Sequence, residues 1–273
     1  MTITAPDFDF ISDLVRQRAS IVLEPGKEYL VESRLAPLAK KEGMTDIGAL
    51  VTELRKPGFG RLHHQVIEAM TTNETFWFRD QYPFDALRTD VLPGVIAARR
   101  PLRRLRLWCA ASSSGQEPYT IAMVLREHFP ELIDWDVSIL ATDISVEMLE
   151  RTKEGRYNQV EVNRGLPAAL MVKYFTKEGM SWRVAESLRS MVETRQLNLA
   201  QTWPGLADID VLFMRNVLIY FDIETKTDIL KRVHRALAPD GTLFLGGAET
   251  TLNLFDGFNR LTAGKATYYQ PKQ

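Results

Sequence analysis

Cysteine is almost missing from this chain: Cys109 is the only one in 273 residues. That excludes an intrachain disulfide and fits a reducing, cytoplasmic setting. Charge imbalance is missing too. Lys and Arg number 34 against 35 Asp and Glu, a net charge of −1. Bulk attraction therefore argues neither for nucleic acid nor for insertion at an anionic membrane. No run reaches the ~20 apolar residues that a membrane span needs. The opening MTITAPDFDFISDL is acidic and has no basic stretch ahead of an apolar one, so it does not read as a secretory leader. His63, His64, His128 and His234 are scattered, and with one cysteine they offer no metal-ligand spacing, so no metal is expected. What is present is an ordinary soluble composition, 45% hydrophobic and 25% charged. The length allows one large α/β domain, or a core domain with a smaller attachment.

Apolar spacing reads as helix over the first ~70 residues. In FDFISDLVRQRASIVL, the residues Phe10, Ile11, Leu14 and Val15 recur at helical intervals. KEYLVESRLAPLAKKEG carries Leu30, Leu35 and Leu38, and its Pro37 is expected near a helix start or at a kink. DIGALVTELRKPG closes on Pro57 and Gly58, and RLHHQVIEAMTT is a fourth helical pattern. Further on, short apolar strands alternate with helical stretches. LRLWCAA (105–111), WDVSILATD (135–143) and DIDVLFMRN (208–216) are each followed by a helix. GTLFLGG (241–247) precedes an irregular segment, and ATYYQ (266–270) is a last strand. The alternation implies a mainly parallel sheet covered on both faces, with ligands at the C-terminal ends of its strands. Residues 170–198 break the rhythm. Their alternating pieces around Trp182, Val184, Met191 and Val192 read as a small antiparallel insertion.

Several stretches put polar groups where a ligand is expected. TTNETFWFRD (71–80) runs from cap-forming residues into Phe76, Trp77 and Phe78, then Arg79 and Asp80. As a helix start it begins at Thr72 or Asn73 with Phe76 and Phe78 packed inward; as a ligand wall it turns its polar groups outward. AASSSGQEPYT (110–120) follows a strand and opens a helix, with small residues that let a backbone approach a ligand closely. Its single glycine excludes the dinucleotide fingerprint, and a plain strand–helix turn capped by serine reads equally well. Glu117 suits a helix N-terminus. Asp143, in ATDIS, ends the second strand, where nucleotide folds hold ribose hydroxyls; a helix cap is the alternative. In LFMRNVLIYFD, Arg215 and Asn216 interrupt an apolar strand at its end, with Tyr220 close behind. Gly246 and Gly247 read as the end of a strand.

Taken in order, TTNETFWFRD, LRLWCAASSSGQEPYTIAM, ATDIS, RQLNL and DVLFMRNVLIYFD resemble the chemotaxis-receptor glutamate methyltransferases, the CheR family. The resemblance runs from about Phe10 to the end of the chain. It implies a helical N-terminal domain at 1–72 and a Rossmann-like S-adenosylmethionine-dependent methyltransferase domain at 73–273. A small antiparallel β-subdomain is inserted at about 170–198. Carried over motif by motif, the expected cofactor contacts are Asn73, Thr75, Arg79, Glu117, Asp143, Asn198, Leu199, Arg215 and Asn216. Arg79 and Tyr220 are expected beside the transferred methyl, with S-adenosylhomocysteine as the product. Many members have glycine where this chain has Ala111, and the added methyl could narrow the approach to the cofactor.

The resemblance implies a substrate: glutamates on the cytoplasmic helical bundle of a chemoreceptor. In some members the β-subdomain also docks a receptor's C-terminal peptide as an added strand. A glutamate is already a carboxylate near pH 7, so no general base is required. Arg34, Lys40, Lys41, Arg55, Lys56 and Arg61 offer basic character to an acidic bundle, or simply form a solvated face. ARRPLRRLR (98–106) reads as a solvated helix end and loop. The alternative activity is methylation of a small molecule or RNA. Asn216-Val217-Leu218-Ile219-Tyr220 lacks the proline pair typical of adenine-amine enzymes, which counts against a nucleobase.

Overall fold

The computed structural model describes residues 3–272. Its contacts divide the chain into two units: the residues up to Thr72 with Tyr220–Thr225, and Asn73–Ile219 with Lys226 onward.

Among its described residues up to Thr72, the first unit holds four helices, α1 (Ala5–Ala19), α2 (Glu28–Lys41), α3 (Ile47–Leu54) and α4 (Arg61–Met70). Their ends follow local chemistry. The Thr4 side chain accepts from the Asp7 N–H at the start of α1, and Ser20 ends it in a left-handed conformation. Asp46 caps α3 by accepting from Ala49. One apolar face of each helix, including Ile11, Val15, Val31, Leu35, Leu50 and Val66, closes a separate core. Pro37 sits inside α2 rather than at its start. Burial of Val31, Leu35 and Ala39 carries the helix through it despite the missing donor. Segment 220–225 belongs here because the Val22 N–H donates to the Tyr220 carbonyl at 3.0 Å and Ile21 pairs with Phe221.

Among its described residues the second unit carries ten strands: β1 (Arg104–Ala110), β2 (Asp136–Asp143), β3 (Arg156–Asn158), β4 (Phe175–Glu178), β5 (Ser181–Val184), β6 (Val192–Gln196), β7 (Ile209–Met214), β8 (Leu237–Leu245), β9 (Phe258–Ala263) and β10 (Ala266–Pro271). Seven form one sheet in the order β6-β2-β1-β7-β8-β10-β9. The first five run parallel, and β10 is antiparallel to both neighbours. β7 is buried along its whole length, as a parallel strand covered on both faces must be. The sheet is the mixed, Rossmann-like frame expected, with a separate antiparallel sheet ordered β3-β5-β4.

The small sheet lies earlier in the chain than its periodicity suggested. Arg156–Asn158 supplies one strand, while Val192–Gln196 pairs in parallel with β2 in the large sheet. Alternation alone cannot tell a half-exposed edge strand from an antiparallel insertion, since both repeat every second residue. The segment after Gly247, read as irregular, contains β9, which pairs with β10. Arg99, in the basic run, is mostly covered rather than freely solvated: its side chain is 17% exposed and bonds buried Asp210 at 2.6 Å and also Asp240.

Candidate active site

The C-terminal tips of β1, β2 and β7 come together in the second unit. β1 lies between β2 and β7, so the chain's crossovers diverge there, which is where an open α/β sheet forms its crevice. After β1 the backbone turns through positive φ at Ala111 (57°), Ser113 (49°) and Gly115 (93°). At Gly115 a side chain is excluded twice over: the φ disfavours it, and a Cβ would lie 2.8 Å from Thr152. The turn is held from all sides. The Ser113 N–H donates to Asp143 Oδ2 at 2.8 Å, the Tyr157 hydroxyl to the Ser114 carbonyl at 2.7 Å, and Thr152 Oγ1 to the Ser113 carbonyl at 3.1 Å. Ser113 Oγ in turn donates to the Asn73 carbonyl at 2.8 Å, which ties TTNETFWFRD to the turn.

TTNETFWFRD is not a helix start. α4 ends at Met70 and the next helix begins at Tyr82. Positive φ at Phe78 (53°), Asp80 (66°) and Gln81 (44°) is incompatible with a helix, and strain of this kind concentrates at functional sites. The inward aromatic is Trp77, fully buried, while Phe76 and Phe78 are only partly so. Trp77 meets Tyr157 and Phe175 edge-on, and its indole N–H donates to the Glu161 carbonyl at 3.0 Å. Tertiary contacts hold the segment where no local ladder does.

Arg215 is the electrostatic centre. Its side chain is 2% exposed. It donates to Glu117 at 2.9 Å, to Asp80 at 2.7 Å and to the Arg79 carbonyl at 2.8 Å. Burial pushes the Glu117 carboxyl above its usual range, with Arg215 opposing that shift. The guanidinium is thus committed to the protein's own carboxylates and fixes the backbone at Arg79. Arg79 itself donates to the Glu74 carbonyl at 2.7 Å and lies over the Phe76 ring. Thr75 is half-buried in the same stretch.

Asp143 faces the β1 turn, with its other oxygen accepting from the Ser145 N–H at 2.9 Å. The Leu197 N–H donates to the Asp143 carbonyl at 2.9 Å, bringing Asn198 and buried Leu199 to the tip of β2. Asn198 Oδ1 accepts from Ala200. Tyr220 groups with the first unit.

Glu249 escapes a sequence reading. Its Oε2 accepts from the N–H groups of Asn216 (2.8 Å) and Gly246 (2.7 Å), and its Oε1 from Val217 (2.8 Å) and Leu218 (2.7 Å). One carboxylate therefore fixes the turn after β7 to the end of β8. A Cβ on Gly246 would meet that carboxylate at 2.7 Å and the Asn216 amide at 2.8 Å. The available signal was a glycine at a strand end followed three residues later by an acid.

Residues 73–266 match the CheR methyltransferase SAM binding domain, and residues 6–71 the CheR methyltransferase all-alpha domain. The chain belongs to the CheR methyltransferase family. The chemotaxis protein methyltransferase Cher2 of Pseudomonas putida is 41% identical over 271 residues, 97% of this chain and 98% of that one. Chemotaxis protein methyltransferase 1 of Pseudomonas aeruginosa is 41% identical over the whole of both chains. Among solved structures, the DhpI–SAH complex covers 72% of this chain and 76% of its own at 16% identity, with a TM-score of 0.33. The protein is an S-adenosylmethionine-dependent methyltransferase of chemotaxis.

The strand tips fit this cofactor. Ser112 Oγ and Asn216 Oδ1, at the tips of adjacent β1 and β7, are buried without a hydrogen-bond partner. Buried polar atoms are normally paired, so two unmet ones here suit a ligand rich in hydroxyl and amine groups. Among the described residues no group of His, Cys, Asp and Glu is arranged to hold a metal, and no helix is long and apolar enough to cross a membrane.

Proposed function

We propose that the chain transfers the methyl of S-adenosylmethionine to glutamate carboxylates of chemoreceptor cytoplasmic domains, forming glutamyl methyl esters in the cytoplasm. The observation that carries this reading is the held junction at the tips of β1, β2 and β7, with Ser112 and Asn216 left unmet. The reading treats residues 1–72 as the helical domain and 73–273 as the catalytic one. Asn73, Thr75, Arg79, Glu117, Asp143, Asn198, Leu199, Arg215 and Asn216 are proposed to hold the cofactor, with Arg79 and Tyr220 at the transferred methyl. Arg215 would act through its carboxylate partners, since Glu117 and Asp80 already occupy its guanidinium.

When bound, S-adenosylmethionine supplies an electrophilic sulfonium methyl. The acceptor glutamate arrives ionised, so the protein's work is alignment and exclusion of water. No base is needed, and the four histidines are elsewhere: His63 and His64 in α4, His128 at a helix end, His234 against Phe255 and Phe258.

The test is transfer of labelled methyl to a chemoreceptor fragment. Base-labile label released as methanol is expected. Base-stable label, or label on RNA with none on receptor, would refute the assignment. A second reading concerns the small sheet, where β3 and β4 each pair on one side only. Such edges support docking of a receptor's C-terminal peptide as an added strand. Deleting that peptide should raise KM; an unchanged KM removes this part of the reading.

A further inference from the structure

A cavity of about 940 Å³ opens beside the turn that Glu249 holds. It lies within the second unit, walled by Asp80, by the Gly246–Phe255 segment and by the β9–β10 hairpin. Its carboxylates are engaged. Asp80 bonds Arg215, Glu249 receives four backbone N–H groups, and Asp256 pairs with Lys272 at 2.6 Å. Its two cations are not. Among the described residues Arg260 meets the Thr267 hydroxyl at 3.4 Å, and Lys265 meets the Tyr82 hydroxyl at 3.3 Å and lies over that ring, 5.2 Å from its centroid. Among the described residues neither has a carboxylate within ion-pair distance. Beside them stand two exposed apolar side chains, Tyr82 (45%) and Leu252 (72%).

Two unpaired cations and an apolar rim in one concave wall suit a peptide with spaced carboxylates and an apolar face. The cavity reaches Asp80 and Glu249, which contact Arg215 and Asn216, so a segment lying in it passes alongside the tip of β7. We propose that this cavity seats the acidic flank of the methyl-accepting segment, with Arg260 and Lys265 binding carboxylates that are not themselves methylated. The proposal rests on the glutamate-methyltransferase reading and adds a specificity subsite to it.

The test compares wild type with Arg260→Glu/Lys265→Glu in the full chain, using a chemoreceptor cytoplasmic fragment as acceptor. KM for the fragment should rise about 10-fold or more, because both attraction and steering are reversed. Turnover at saturation and S-adenosylhomocysteine affinity should stay within about twofold, which also reports that the variant is folded. Rising salt should raise the wild-type KM and lower the variant's, because screening removes attraction in one and repulsion in the other. A fragment whose flanking glutamates are changed to lysine should reverse the preference. Should the Glu pair misfold, Arg260→Gln/Lys265→Gln reads the same quantity. An unchanged KM with normal transfer overturns the subsite while the function stands. No base-labile transfer by wild type to any receptor fragment overturns both.

Discussion

Replacing Glu249 should do far more harm than its place in a loop suggests. Its carboxylate receives four backbone N–H bonds of 2.7–2.8 Å, from Asn216, Val217, Leu218 and Gly246. A donor stripped of its acceptor costs about 1–3 kcal/mol when buried. These bonds are part-buried, and the residue lines a large cavity, so water recovers some of the loss. Taking about 1 kcal/mol for each donor, Glu249→Ala should lose about 4 kcal/mol. Glu249→Gln keeps the shape but turns an NH2 toward two of the donors, and should lose about 2–3 kcal/mol. At about 2 °C per kcal/mol, the alanine variant melts about 8 °C lower. The assay is urea or thermal unfolding followed by tryptophan fluorescence. All 5 tryptophans, at 77, 108, 135, 182 and 203, lie in the second unit, so the signal reports that unit alone. Because Asn216 sits on the held turn, S-adenosylhomocysteine affinity should fall as well, measured by calorimetry on the folded variant. If Glu249→Gln unfolds within about 0.5 kcal/mol of wild type, as a neutral surface change would, the clamp does not exist.

Other substitutions probe separate features. Arg79→Ala should cut kcat/KM by about 100-fold or more in the methyl-ester assay while leaving the melting temperature unchanged. Arg99→Ala takes the cation from buried Asp210, leaving it the Arg106 N–H at 2.8 Å, and should destabilise by about 3 kcal/mol in denaturant unfolding. Ala111 holds a left-handed φ of 57°, so Ala111→Gly should raise stability by about 0.5–1 kcal/mol in the same experiment. Two carboxyls shape the pH profile in opposite senses. The bond from Arg99 holds Asp240 below its usual 3.8, so its contribution is full above that pH and lost as acid protonates it through the lowered value. Burial holds Glu117 above its usual 4.5, so its contribution is full below that pH and declines as pH rises through the raised value. Asp240→Asn should therefore flatten the acid limb of a stability–pH curve, and Glu117→Gln the decline that begins above 4.5.

Local chemistry decided much of this protein before it folded. The α/β rhythm, the four N-terminal helices and the polar interruptions at Asp143 and Arg215 are legible because periodicity and strand-end polarity are properties of short segments. Their order along the chain also identifies the family. What the chain folds into at 71–80 was not legible. Thr and Asn favour caps, yet Trp77 burial and the Ser113–Asn73 bond hold the segment in a non-helical path. Val192–Gln196 alternates like an insertion, and only its pairing with β2 places it in the main sheet. Glu249 and Arg260 are ordinary residues until folding brings four N–H groups to one and leaves the other lining a cavity with no carboxylate beside it among the described residues. Sequence patterns report what a residue prefers among its near neighbours. The tertiary structure decides which distant groups share a charge or a proton, because those contacts span intervals that no local period encodes.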